Sequence, residues 1–199
     1  TESDVLYVLR PSRGSNVLQE ILGKKYSGII SCDGWKTYES FSDRLQRCWA
    51  HLLRESFHLK EKHDSFEKYH EALKKLFEKI QSIRMKPPGE EERKELVRKM
   101  KEHLIRLTMN MNKEIPFREF AGKIQNGMNY WFTCIEHPEV EPTNNFAEQA
   151  LRELIVQRKI MGGLRSEKGA ETLEIISTMI ATWKKQNKPL LDTMKSYLE

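Results

Sequence analysis

Cysteine is nearly missing from this sequence. Three stand among 199 residues, Cys32, Cys48 and Cys134, and no two form a CxxC pair. An odd, scattered set of this kind excludes a zinc ribbon and a disulfide scaffold, and it fits a reducing, cytoplasmic setting. Long apolar runs are missing too. No stretch approaches the ~20 residues that a spanning helix needs, so no membrane partner is expected. The opening residues, TESDVLYVLR, carry neither the basic nor the apolar region of a signal peptide. They begin without Met and run almost at once into a strand-like pattern, so the chain is expected to continue an upstream part of a longer protein. Internal repeats and low-complexity tracts are absent.

Charge takes the place of what is missing. Charged residues make up 32% and hydrophobic residues 38%, against a usual charged share of about 25%. Mean hydropathy is −0.68, which points to long solvated helices around a core that this length can support without staples. The net charge is +5. All of it lies in residues 51–113, where 16 Lys and Arg face 11 Asp and Glu. A basic excess suits a nucleic-acid partner, and an exposed pair of Lys-rich helices accounts for it as simply.

Along the chain, residues 4–10 (DVLYVLR) read as a strand, PSRG as a turn, and Ser15 as the cap of a short helix. YSGIISC (26–32) reads as a second, buried strand ending at Asp33-Gly34, and the strand, helix, strand order predicts a parallel pairing in an α/β sheet. Residues 36–41 predict a short helix and QRCWA (46–50) a third short strand. From His51 the period changes. Phe66, Tyr69, Leu73, Leu76, Ile80 and Ile83 recur at helical steps, Pro87-Pro88-Gly89 interrupts, and Leu96, Val97, Met100, Leu104 and Leu107 resume. This predicts an α-hairpin inserted at 51–113. Residues 117–135 predict one further helix. Residues 144–157 predict another, with Phe146, Ala150, Leu151, Leu154 and Ile155 inward, and residues 170–185 and 189–199 the last two.

Two carboxylates invite a chemical reading. Asp33 follows an apolar strand, at the strand end where open α/β sheets place ligands and metals, although Asp-Gly is also an ordinary turn. Glu148 stands in the first turn of a helix behind Asn144 and Asn145. Asn145-x-x-Glu148 has capping-box spacing, so Glu148 closes a helix start or projects toward a site. Two carboxylates brought together would need a hard cation such as Mg2+ between them. Arg152 shares the face of Glu148, and Arg158, Lys159 and Arg165 follow. They form one solvated basic face or position phosphates beside a metal. Trp49 and Trp131 read as core aromatics.

Taken together, RGsnVLqEiLGkkYsGiisCDGwktY, qRCWAHLLRe and HPevePTNNfAEqALRelivqRK resemble the C-terminal part of the insertion-sequence-66 family of bacterial DDE transposases, over residues 5–58 and 117–198. The resemblance implies a partial ribonuclease-H-like core (1–50 and 114–199) in a helix-rich α/β fold, with the hairpin 51–113 inserted before the last acidic residue. It implies Mg2+-dependent cleavage and joining of DNA, with transposon ends and target as partners, no small-molecule substrate, and room for a homo-oligomer. It maps the second catalytic Asp onto Asp33 and the Glu onto Glu148, both as metal ligands, with His51, Asn144 and Asn145 in support. The family's first Asp and its end-recognising region lie upstream, so an incomplete transposase, unable to act alone, is expected. A non-enzymatic DNA-binding or oligomerisation module is the alternative.

Overall fold

The computed structural model describes residues 3–12, 14–164 and 166–197. Helix, 3-10 turns included, accounts for 67% of the described residues and the sheet is small. In order, the elements are α1 (Ser15–Leu22), β1 (Ile30–Cys32), β2 (Leu45–Arg47), α2 (Trp49–Lys62), α3 (Glu67–Met85), α4 (Glu90–Met111), α5 (Arg118–Asn126), α6 (Thr133–Glu136), α7 (Asn145–Met161), α8 (Glu167–Lys185) and α9 (Leu190–Ser196), with 3-10 turns at Lys36–Ser40, Asp64–Phe66 and Ile115–Phe117. They form two compact units, Leu18–Asn144 and Thr1–Val17 with Asn145–Glu199.

The unit Leu18–Asn144 holds the sheet. β1 and β2 pair in parallel, Ile30 with Leu45, Ser31 with Gln46 and Cys32 with Arg47. The predicted strands were longer at 26–32 and lay later at 46–50. The second is cut short because Cys48 already caps α2, which starts at Trp49. All three residues of β2 are buried, which two polar side chains tolerate only when hydrogen-bonded. Gln46 meets this by accepting the Cys134 N–H at 2.7 Å and donating to the Arg47 carbonyl at 2.7 Å. Arg47 reaches Glu39 at 2.7 Å. The Thr133 hydroxyl donates to the Leu45 carbonyl at 2.6 Å, so the start of α6 closes the far side of β2.

Residues 51–113, predicted as a hairpin of two helices, hold most of α2 as well as α3 and α4. Tyr69, Leu73, Leu76 and Ile80 on α3 and Val97, Met100 and Leu104 on α4 are buried. They share one core with Trp49 and Leu52 of α2, Phe120 and Ile124 of α5, and Trp131. Both predicted core tryptophans are found there. Trp49 is fully buried, donates its Nε1–H to the Trp131 carbonyl at 2.7 Å and stacks on Phe77 at 6.0 Å. The predicted helix 117–135 is broken. α5 stops at Asn126, and residues 127–132 fold back so that the Trp131 Nε1–H donates to the Ile124 carbonyl at 2.9 Å. Gly127 allows the return, because a Cβ there would stand 2.8 Å from Arg47 Cδ and 2.9 Å from Trp131 Nε1.

In the other unit, residues 4–10 are not part of a sheet. The segment runs antiparallel to α8 and takes its hydrogen bonds from helix side chains. The N–H groups of Val5, Tyr7 and Leu9 donate to Thr182 Oγ1 at 3.1 Å, Thr178 Oγ1 at 3.1 Å and a Glu174 carboxylate oxygen at 2.8 Å. Two residues of extended chain rise about 6.6 Å and four of helix about 6.0 Å, so every second N–H meets every fourth helix residue. The same β-compatible alternation that predicted a strand therefore satisfies its backbone on a helix. Tyr7 is buried and its hydroxyl donates to the Ala150 carbonyl at 2.6 Å. Gly162 and Gly163 take φ of 70° and 119° to turn the chain between α7 and α8, a backbone region costly for other residues. Ser166 caps α8, accepting the Gly169 N–H at 3.1 Å.

The predicted inward face of α7 is only partly inward. Leu154 is buried and Ala150 half-buried. Phe146, Leu151 and Ile155 are 66%, 48% and 51% exposed, because the elements of this unit cover only one narrow stripe of the helix.

Candidate functional site

In Leu18–Asn144, the carboxyl ends of both parallel strands come to one place. Asp33 directly follows β1. The Cys48 N–H, directly after β2, donates to the Cys32 carbonyl at 2.9 Å and extends the ladder to the start of α2. The loop before α7 is pinned to the same point. The Trp49 N–H donates to the Pro142 carbonyl at 3.0 Å, and the Asn144 N–H meets Cys48 Sγ at 3.1 Å. A two-pronged pair holds the loop from behind, Arg84 on Glu141 at 3.0 and 3.1 Å, with a further bond from Arg84 to the Pro138 carbonyl. Asp33, the first turn of α2 with half-buried His51, and Asn144 are thus gathered by backbone geometry at the strand ends. Neither Arg84 nor Glu141 was singled out from the sequence. Their pairing spans 57 residues and has no local signature.

The Asp33 side chain is half-buried. One oxygen accepts the Trp35 N–H at 3.0 Å, the turn that Asp-Gly suggested. The other has no hydrogen-bond or ion-pair partner among the described residues. The nearby Arg47 guanidinium is engaged by Glu39. A carboxylate fixed through one oxygen and open at the other suits a hard divalent cation. Its neighbour Cys32 is buried. Burial, reinforced by the Asp33 charge, pushes that thiol up to about 12, so it stays protonated near neutrality. Burial likewise pushes Cys134 up to about 12.

The second unit carries the remaining predicted residues. Glu148 is half-buried in the first turn of α7, with Asn145 exposed at the helix start. Arg152 and Lys159 are exposed. At 100° per residue, Glu148, Arg152 and Lys159 fall within about 40° of one another on one face of α7. Arg158 lies on α7, with its side chain outside the described residues, and Arg165 falls outside them altogether.

The profile of the transposase IS66 family matches residues 1–172. This chain belongs to that family. For an IS66 family transposase the matched span includes Asp33, the pinned loop, Glu148 and the whole of α7, and it leaves most of α8 and all of α9 beyond it. No curated protein and no solved structure matches the chain. No described helix is long and apolar enough to cross a membrane.

Proposed function

We propose that this IS66 family chain acts in DNA transposition, as part of a catalytic domain that cleaves and joins DNA strands, with Asp33 and Glu148 as its metal-holding carboxylates. The observation that carries this is Asp33, which stands at the carboxyl end of a parallel strand pair within the family match with one oxygen open. The correspondence of Asp33 and Glu148 with two of the family's acidic positions carries their pairing. In this reading residues 1–50 and 114–199 belong to a ribonuclease-H-like core, and 51–113 is its helical insertion.

Mg2+ is the expected ion, and when bound it activates the attacking oxygen and stabilises the leaving oxygen of a phosphodiester. The chain's own residues bind and orient. Asp33 is held by its turn so that its second oxygen is presented, and Glu148 supplies an oxygen from the first turn of α7. Arg152, Arg158, Lys159 and Arg165 hold phosphates of the transposon end or target, and Asn144, Asn145 and His51 keep the carboxylates in place. Transposon and target DNA are the partners, in the cytoplasm, with self-association between copies and no small-molecule substrate.

A second reading, a DNA-binding or oligomerisation module without catalysis, draws on the exposed apolar residues of α7 and α8, among them Phe146, Ile155, Ile160, Ile175 and Ile176. The test is Mn2+ binding to the full chain, followed by electron paramagnetic resonance. Asp33→Asn and Glu148→Gln should each weaken binding tenfold or more with the fold retained. Wild-type affinity in both variants overturns the metal reading and leaves the second one.

A further inference from the structure

The basic excess of the chain has a structural focus that the proposed catalytic carboxylates do not use. A groove of about 440 Å³ runs between α3 and α4. Its floor is apolar, formed by Leu76 and Met100, which are 6% and 2% exposed. Its walls are Lys75 and Lys79 from α3 and Lys99, His103 and Arg106 from α4. No carboxylate lines it.

Several cations of the same helices are ion-paired. Lys60, Lys68, Arg84, Lys94 and Arg98 are each tied to a glutamate. Lys99 shares Glu95 with Arg98, at 3.3 Å. Lys75, Lys79, His103 and Arg106 hold no ion pair among the described residues. Four of the five groove cations are thus bound to no carboxylate among the described residues, and no carboxylate lines the groove, so its positive charge is left for something else.

The spacing selects a partner. Lys99, His103 and Arg106 rise along α4 by about 10.5 Å, while Lys75 and Lys79 are one turn apart, about 6 Å, on the facing helix. A DNA strand carries one phosphate per 3.4 Å of axis, so the α4 row spans about three phosphates and the α3 row about two. An apolar floor beneath flexible cationic rims suits a sugar–phosphate backbone and provides no means of reading base edges.

We infer that the α3–α4 groove is a second, sequence-independent contact for the phosphate backbone of duplex DNA, apart from the α7 cations. The choice of DNA as the polyanion rests on the proposed role in transposition. The groove adds affinity and salt dependence to whatever α7 supplies.

The test measures binding of the full chain to a fluorescent 30-base-pair duplex of arbitrary sequence between 50 and 300 mM NaCl. The variant Lys75→Ala/Lys79→Ala/Arg106→Ala should lose affinity by about tenfold or more at 100 mM salt. Its plot of log affinity against log salt should be shallower by about 2 to 3, at roughly 0.9 per phosphate contact. The matched variant Lys60→Ala/Lys94→Ala/Arg98→Ala, which removes paired cations, should keep the wild-type slope. All substituted side chains are at least partly exposed, and a urea midpoint confirms that each variant is folded. Unchanged affinity and slope in the groove variant overturn this inference alone. Absence of any salt-dependent DNA binding by the wild type overturns the DNA reading of the chain as well. Displacement of the duplex by polyglutamate as readily as by unlabelled DNA assigns the groove to an acidic protein and overturns the inference too.

Discussion

Residues 18–144 and the unit made by residues 1–17 and 145–199 use the same kinds of side chain to different ends. Among the described residues, 23 of the 26 buried hydrophobics lie in 18–144. The described residues of the other unit bury Tyr7, Leu154 and Trp183 and leave Phe146, Ile160, Leu191 and Tyr197 largely exposed. The first is held by a continuous core. The second is held by a narrow contact stripe and a ladder of side-chain bonds from α8 to residues 5–9. Burial at about 25 cal/mol per Å² is non-directional and sums over many contacts, whereas each bond of the ladder contributes only about 1 kcal/mol net. The larger unit should therefore be the stable one, and the smaller should open locally first.

The largest expected effect breaks the core. Trp49→Ala should cost about 3–5 kcal/mol, since it leaves a cavity and removes the closer of two donors to the Trp131 carbonyl. Leu154→Ala in the other unit should cost about 2 kcal/mol or less, because its surroundings can collapse onto the gap. Urea unfolding read by amide protection in each unit tests both, and equal costs would erase the contrast. Next, Glu39→Gln should cost about 2–3 kcal/mol in the larger unit, because Arg47 is only 5% exposed and keeps its charge without its partner. Arg47→Met, which removes the charge as well, should recover part of that loss.

A smaller effect belongs to the ladder. Thr178→Val keeps the shape of the side chain and removes the acceptor for the Tyr7 N–H. About 1–2 kcal/mol of local stability should be lost. Hydrogen exchange should quicken at Tyr7 and Val5 and stay unchanged at Trp49 and Leu73. Quickening throughout 18–144 would show that the two units unfold as one.

These effects also mark how far the sequence could be read. The stripes Leu73, Leu76, Ile80 and Val97, Met100, Leu104 were plain, because helical period and burial are local to one element. The Asp33 turn and its place after a strand were plain for the same reason. The place of residues 4–10 was not. Alternation shows an extended segment, and it does not say whether the partner is a strand or a row of Thr and Glu at every fourth helix position. The break at Gly127 was hidden because its cause is Arg47, 80 positions away. The face of α7 was overcalled because hydrophobic period reveals an apolar side without revealing whether anything covers it. The pinning of the Asn144 loop by Cys48 and by Arg84–Glu141 lies between distant segments, beyond any local pattern.

The finest test uses protons. All six histidines lie within residues 18–144. His70 is half-buried on α3, with Nδ1 2.8 Å from Ser56 Oγ, whose O–H donates to the Leu53 carbonyl. Burial lowers its pKa from the usual 6.5. Glu71 and Glu67 oppose that shift, and Lys60 and Lys74 add to it. With the folded value below the unfolded one, the unfolded chain binds more protons between the two, so stability rises with pH across that window. The contribution of His70 is therefore complete above pH 6.5 and is lost as pH falls through the lowered folded value. Urea midpoints of the 18–144 unit should decline below pH 6.5, and His70→Gln should flatten the part of the decline that this imidazole supplies. Amide protection around Leu154 should not change over the same range, since no histidine lies in that unit. An equal decline in both units, or an unflattened curve in His70→Gln, would show that another group sets the acid sensitivity.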